Sequence, residues 1–207
     1  MRRWALLLLP LGMLGGCLRL SQPAPAIRDY RLDYTPPAVT GAALPVILSV
    51  PPLGVAATYD RTPIVYREGS YATGTYFYER WSANPGNLVA DVLARDFAHS
   101  GVYRAVQQRP SLVPSDYQLT GEIGAIEERV TDDGCSAHLD LRVLVLRVRN
   151  GGADPVVLQQ SYTGDAPCRC NDSGALAAAM SRVLKGISQH LQRDVYAAIA
   201  AEVATSS

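Results

Sequence analysis

The chain has 207 residues, with 19 basic and 19 acidic side chains and a formal net charge of +0. At 48% apolar it can bury one sizeable core, and its scattered arginines and single lysine, Lys185, exclude the basic stripe of a nucleic-acid binder.

Met1-Arg2-Arg3 precedes an apolar run, Trp4 to Leu14, that is interrupted by Pro10 and Gly12. A membrane-spanning helix needs about 20 apolar residues, so the pattern predicts a secretory signal over 1–16. Leu14-Gly15-Gly16-Cys17 resembles the bacterial lipobox, which implies cleavage before Cys17 and acylation of that cysteine. The alternative is an ordinary signal peptide cut nearby, with Cys17 an incidental thiol. Acyl chains contribute about 0.8 kcal/mol per buried CH₂, so the two or three chains of a lipoprotein anchor firmly where one is marginal. Leu18 stands where bacterial sorting places Asp for inner-membrane retention, which points to the outer membrane. Residues 17–27, with Pro23 and Pro25 among small residues, read as a tether. About ten such residues at about 3.1 Å each reach about 30 Å.

The folded domain is expected over 28–204. Tyr30-Arg31-Leu32-Asp33 alternates like a short strand, and Val46 to Val50 is a β-branched run stopped by Pro51-Pro52. Pro63 to Arg67 and Tyr71 to Tyr78 flank Glu68-Gly69-Ser70 and predict a hairpin. Asn84 as N-cap, Pro85 at the first helical position and Gly101 as terminator frame a helix whose Val89, Leu93 and Phe97 share a face. Tyr103 to Val106 makes a short strand. Three longer strands follow, with Tyr117, Leu119, Ile123 and Ala125 on one parity and Leu139, Leu141, Val143 and Val145 on the next. Turns at Asp132-Asp133-Gly134 and over 150–154 join them, and Val156 to Tyr162 completes the meander. Asp172 or Ser173 caps a long amphipathic helix bearing Leu176, Met180, Leu184, Ile187, Leu191, Val195 and Ile199. The fold class is α+β, a largely antiparallel sheet with two packed helices, the C-terminal one long.

Beyond Cys17, three cysteines remain: Cys135, Cys168 and Cys170. In an exported chain thiols tend to pair. If Gly151-Gly152 is the hairpin centre, Cys135 faces residue 168 or so, and cross-strand neighbours satisfy the disulfide requirement of Cα atoms within about 7 Å. Cys135 to Cys168 is the favoured bond and Cys170 the competing partner; free thiols, or a zinc site completed by His138, are the alternatives. No nucleophile elbow, metalloprotease motif or phosphate-binding loop occurs, and neither His99, His138 and His190 nor the pairs Glu127-Glu128 and Asp132-Asp133 form a catalytic pattern. No cofactor or metal is expected.

Residues 58–89 concentrate tyrosine and arginine, the types enriched where proteins make contacts because each joins a large contact area to a polar handle. Arg61, Tyr66, Arg67, Tyr76, Tyr78, Arg80 and Trp81 are the candidate partner interface, the alternative being core and cross-strand packing. Asp60-Arg61, Ile64-Val65-Tyr66-Arg67 and Arg80-Trp81, with Tyr30-x-Leu32, Leu48-x-Val50-x-x-Leu53 and the lipobox, resemble the ABC-type transport auxiliary lipoprotein family. The chain departs from it in reading Ser82-Ala83-Asn84-Pro85 where Ala-Glu-Pro often follows the tryptophan, and the cysteine trio is not a family feature. The resemblance implies a non-enzymatic outer-membrane lipoprotein, an adaptor that docks the Mce-domain protein of an ABC transporter for intermembrane lipid transport, as a monomer or a homo-oligomer. Rival readings are an adaptor for a cell-wall synthase or secretion apparatus, a lipid-binding carrier and, remotely, an envelope hydrolase.

Overall fold

A computed structural model describes residues 25–108, 113–148 and 155–206. The leader, Cys17, Leu18, the tether before Pro25 and the turn over 150–154 lie outside the described residues.

Among the described residues, nine strands form one mixed sheet: β1 (Arg28–Tyr30), β2 (Leu44–Ser49), β3 (Gly54–Val55), β4 (Pro63–Glu68), β5 (Ala72–Trp81), β6 (Tyr103–Gln107), β7 (Tyr117–Thr131), β8 (Gly134–Arg147) and β9 (Val156–Cys168). Two helices, α1 (Pro85–Ser100) and α2 (Ser173–Ser206), complete the α+β fold. The central strand is β7. Along one edge it pairs antiparallel with β8, which in turn pairs with β9. Along its other edge it receives β2, β3 and β4 in succession, all parallel, at Tyr117, Glu122 and Glu127. Beyond them lie β6 on β2, and β5 then β1 on β4. The longest pairings are antiparallel, as expected; the parallel contacts with β7 are unanticipated, since partners as distant as Val65 and Glu127 or Leu48 and Tyr117 carry no mutual local signal.

The β8–β9 register holds the expected offset from Cys135↔Cys168 through Val145↔Leu158. In β7 a register shift between Ile123 and Ala125 switches the pleat, so Tyr117, Leu119 and Ile123 are buried before it but Ile126, not Ala125, after it. Gly124 permits this because a Cβ there would stand 2.8 Å from Asp140 Oδ2.

At α1, the Asn84 side chain accepts from Gly86 N at 2.9 Å, Pro85 opens the helix, and Gly101 ends it at φ 67°. Asp172 caps α2, its Oδ1 accepting from Ala175 N at 2.9 Å. Val89, Leu93 and Phe97 of α1 and Leu176, Met180, Leu184, Leu191, Val195 and Ile199 of α2 are fully buried, against Leu119, Leu139, Leu141 and Val145 of the sheet. Each such side chain contributes about 1.5–3 kcal/mol through burial. The helices also share a polar link: Asp96, fully buried, accepts from Tyr34 and from Ser188 at 2.6 Å each and from Arg95, which also lies over the Tyr34 ring. Among the described residues, no helix is long and apolar enough to cross a membrane.

Candidate functional site

The hairpin of β4 and β5 carries most of the residues singled out above. Ile64 and Val65 are buried, and Gly69, at φ 60°, turns the chain in the left-handed region that a side chain disfavours. Gly74 faces Tyr66 across the strands, and the Tyr66 ring fills the space where a Cβ would sit 2.4 Å away. Tyr66 also packs on Tyr76, with ring centroids 4.9 Å apart.

Both faces of the hairpin are braced to β7. On one face Glu127, 1% exposed, accepts from the Tyr59 phenol at 2.5 Å, from Arg67 Nε at 2.8 Å and from Arg129 Nε at 3.2 Å. Arg129 continues to Asp165, whose Oδ1 lies 2.9 Å from His138 Nδ1. Burial alone would raise the Glu127 carboxyl, but its three donors more than offset that and hold it below its ordinary value. On the other face Glu128 accepts from the Tyr76 phenol at 2.5 Å and from the Cys168 thiol at 3.9 Å. Here burial wins and pushes the carboxyl up. Burial, then the Glu128 charge, lifts the Cys168 thiol to about 11.

The favoured disulfide is corrected. Cys135 does face Cys168 across β8–β9, yet it bonds Cys170, the competing partner, at a Cα separation of 5.2 Å. Cys170 lies two residues beyond the pair, diagonal to Cys135, and takes the bond, while the Cys168 thiol is directed to Glu128. The zinc alternative fails on the same geometry, since two of its sulfurs bond each other and His138 faces Asp165 on the opposite side of the sheet.

The candidate interface divides. Trp81 is 2% exposed and belongs to the core, which corrects its place among contact residues. A tryptophan next to an edge pairing fills the space between sheet and helices better than it covers a surface. Tyr66, Arg67 and Tyr76 are spent on the bracing contacts, and the buried Nε of Arg80 has no hydrogen-bond partner among the described residues. Arg61 and Tyr78 are exposed. Sequence reasoning missed the most exposed aromatics: Tyr71, at 97%, follows the turn, and Phe77, at 78%, stands beside Tyr78, at 46%. A register shift explains the pair. Pro63 faces Arg80 and Val65 faces Thr75, so four residues of β5, Tyr76 to Glu79, stand against Ile64 alone and the strand bows outward. Ile27, 51% exposed, adjoins them, because β1 pairs with β5 from Arg28↔Glu79.

Compared with known proteins, residues 30–192 match the family described as the ABC-type transport auxiliary lipoprotein component. No curated protein matches the chain. Among solved structures it is similar to a protein of the DUF330 family from Xanthomonas campestris, with a TM-score of 0.68 and 21% identity over 88% of this chain and 97% of that one. It is also similar to an uncharacterised protein, with a TM-score of 0.65 and 12% identity over 83% and 99% of the two chains. At these identities the two structures show a shared fold.

Proposed function

The chain belongs to the ABC-type transport auxiliary lipoprotein family, and from that premise we propose that it is a non-enzymatic outer-membrane lipoprotein, an adaptor that docks the periplasmic Mce-domain protein of an ABC system moving lipid between membranes. The observation that carries this reading is the family match over residues 30–192, joined to a lipobox cysteine about ten residues ahead of the first strand. ATP hydrolysis then belongs to other subunits, and this chain supplies attachment.

A lipid carrier needs an apolar cavity of about 300 Å³ or more. The core between sheet and α2 is instead filled by Leu139, Leu141, Met180, Leu184 and Leu191, and the cleft of about 470 Å³ between β9 and α2 is open to solvent and carries Asp165, Arg182 and His190 among its lining. A cleft of about 500 Å³ beside the start of α2 is open to solvent and lined by Arg28, Glu79, Arg169 and Asp172, groups suited to ions rather than acyl chains. Both features favour the adaptor. Among the described residues β1, β6 and β9 are each paired to a strand on one side only, which supports self-association as part of the reading.

Affinity capture of the tagged full-length chain from detergent-solubilised envelopes tests it. Recovery of an Mce-domain protein is the expected result; recovery of a cell-wall synthase or secretion component in its place overturns it.

A further inference from the structure

The polarity of the first strand sets the side from which the chain enters the sheet. β1 runs parallel to β5, and β5 runs away from the hairpin turn at Gly69. The described residues 25–27 therefore approach Arg28 from the turn side, at the level of Tyr78. That end of the molecule is the end of β7 at Val130, where Glu68, Cys135 and Cys168 share a level. The opposite end, where Leu146 pairs with Val156, lies eleven β8 residues away, about 37 Å.

From these relations we infer that Ile27, Tyr71, Phe77 and Tyr78 form a bilayer-contacting edge, seated on the membrane that holds the lipid anchor. The inference rests on the proposed acylation of Cys17. Tether residues number about ten, so the edge stays within about 30 Å of the lipid surface, and weak contacts act at a high effective concentration. Tyrosine suits the headgroup level and phenylalanine the acyl boundary. A rigid mount is present, since Glu127 and Glu128 brace the hairpin from both faces. Charge does not draw this end to anionic lipid: Glu68, Asp132 and Asp133 are exposed here, and the exposed Arg28 and Arg169 are paired with Glu79 and Asp172. The contact is accordingly apolar and insensitive to salt. An adaptor held this way presents its far end, around Val156, to its protein partner.

The test uses the full-length lipidated protein in phosphatidylcholine vesicles, with and without brominated acyl chains. Trp81 is the only tryptophan after the leader and is buried, which leaves a quiet background for Phe77→Trp and, at the far end, Val156→Trp. Flotation with the vesicles reads the anchor. The indole introduced by Phe77→Trp should lose most of its emission to bromolipid at low and high salt alike, and that introduced by Val156→Trp should lose none. A second variant, Tyr71→Asp in the Phe77→Trp background, should restore much of the lost emission. Protein that floats with an unquenched indole at 77 overturns the inference while the anchor stands, and capture of a protein partner lost on Phe77→Asp would then assign the edge to protein. Protein that fails to float overturns the anchor and this edge with it.

Discussion

Glu127 and Glu128 are neighbours on β7, yet their carboxyls lie on opposite faces of the sheet and are shifted in opposite directions from an ordinary value of 4.5. Glu127, held low by Tyr59, Arg67 and Arg129 against the pull of burial, stabilises the fold above pH 4.5, and that contribution is lost as pH falls through its lower folded value. Glu128, raised by burial, contributes fully below 4.5 and loses that contribution as pH rises through its folded value. Glu127→Gln should thus cost about 2 kcal/mol of stability at neutral pH, because Arg67 is only partly buried, and lower the melting temperature with it. Glu128→Gln should raise it. Both differences should vanish well below pH 4.5, and thermal melts at neutral and acid pH check the signs.

Non-reduced peptide mapping should recover Cys135 joined to Cys170. Cys135→Ser should cost about 4 kcal/mol by the chain-entropy account for a loop closed over a separation of 35 residues. Cys168→Ser removes only a long contact to Glu128 and should cost about 1 kcal/mol or less. With its thiol raised to about 11, Cys168 should alkylate slowly at neutral pH and faster as pH approaches that value.

Asp96 ties α1 to α2 and to the segment after β1. Asp96→Ala leaves Arg95, Tyr34 and Ser188 without their shared acceptor and should cost about 3–5 kcal/mol, whereas Tyr34→Phe, which removes one donor, should cost about 1 kcal/mol. Denaturant melts of the two variants check the ranking.

Local signals carried much of this fold. The capping residues Asn84 and Asp172, the terminator Gly101 and the β8–β9 register were readable because each depends on neighbours in sequence or on one short turn. The parallel strands beside β7 were not, since their partners are distant and each strand is short. The parity switch after Ile123 hid in a single glycine. For the site, composition located the hairpin but not its exposed members: Trp81 reads as a contact residue from its type and sits in the core, whereas Phe77 is brought out by a bulge that no local pattern announces. Choosing between Cys168 and Cys170 was beyond the register, because both the directly opposite and the diagonal position come within reach of Cys135.

Site-specific photocrosslinking in living cells tests the adaptor most directly, with a photoreactive side chain placed at position 77 in one variant and at 156 in another. The account predicts that position 156 captures an Mce-domain protein and position 77 captures lipid. Capture of the Mce-domain protein from 77 but not 156, or of no transport component from either, would contradict it.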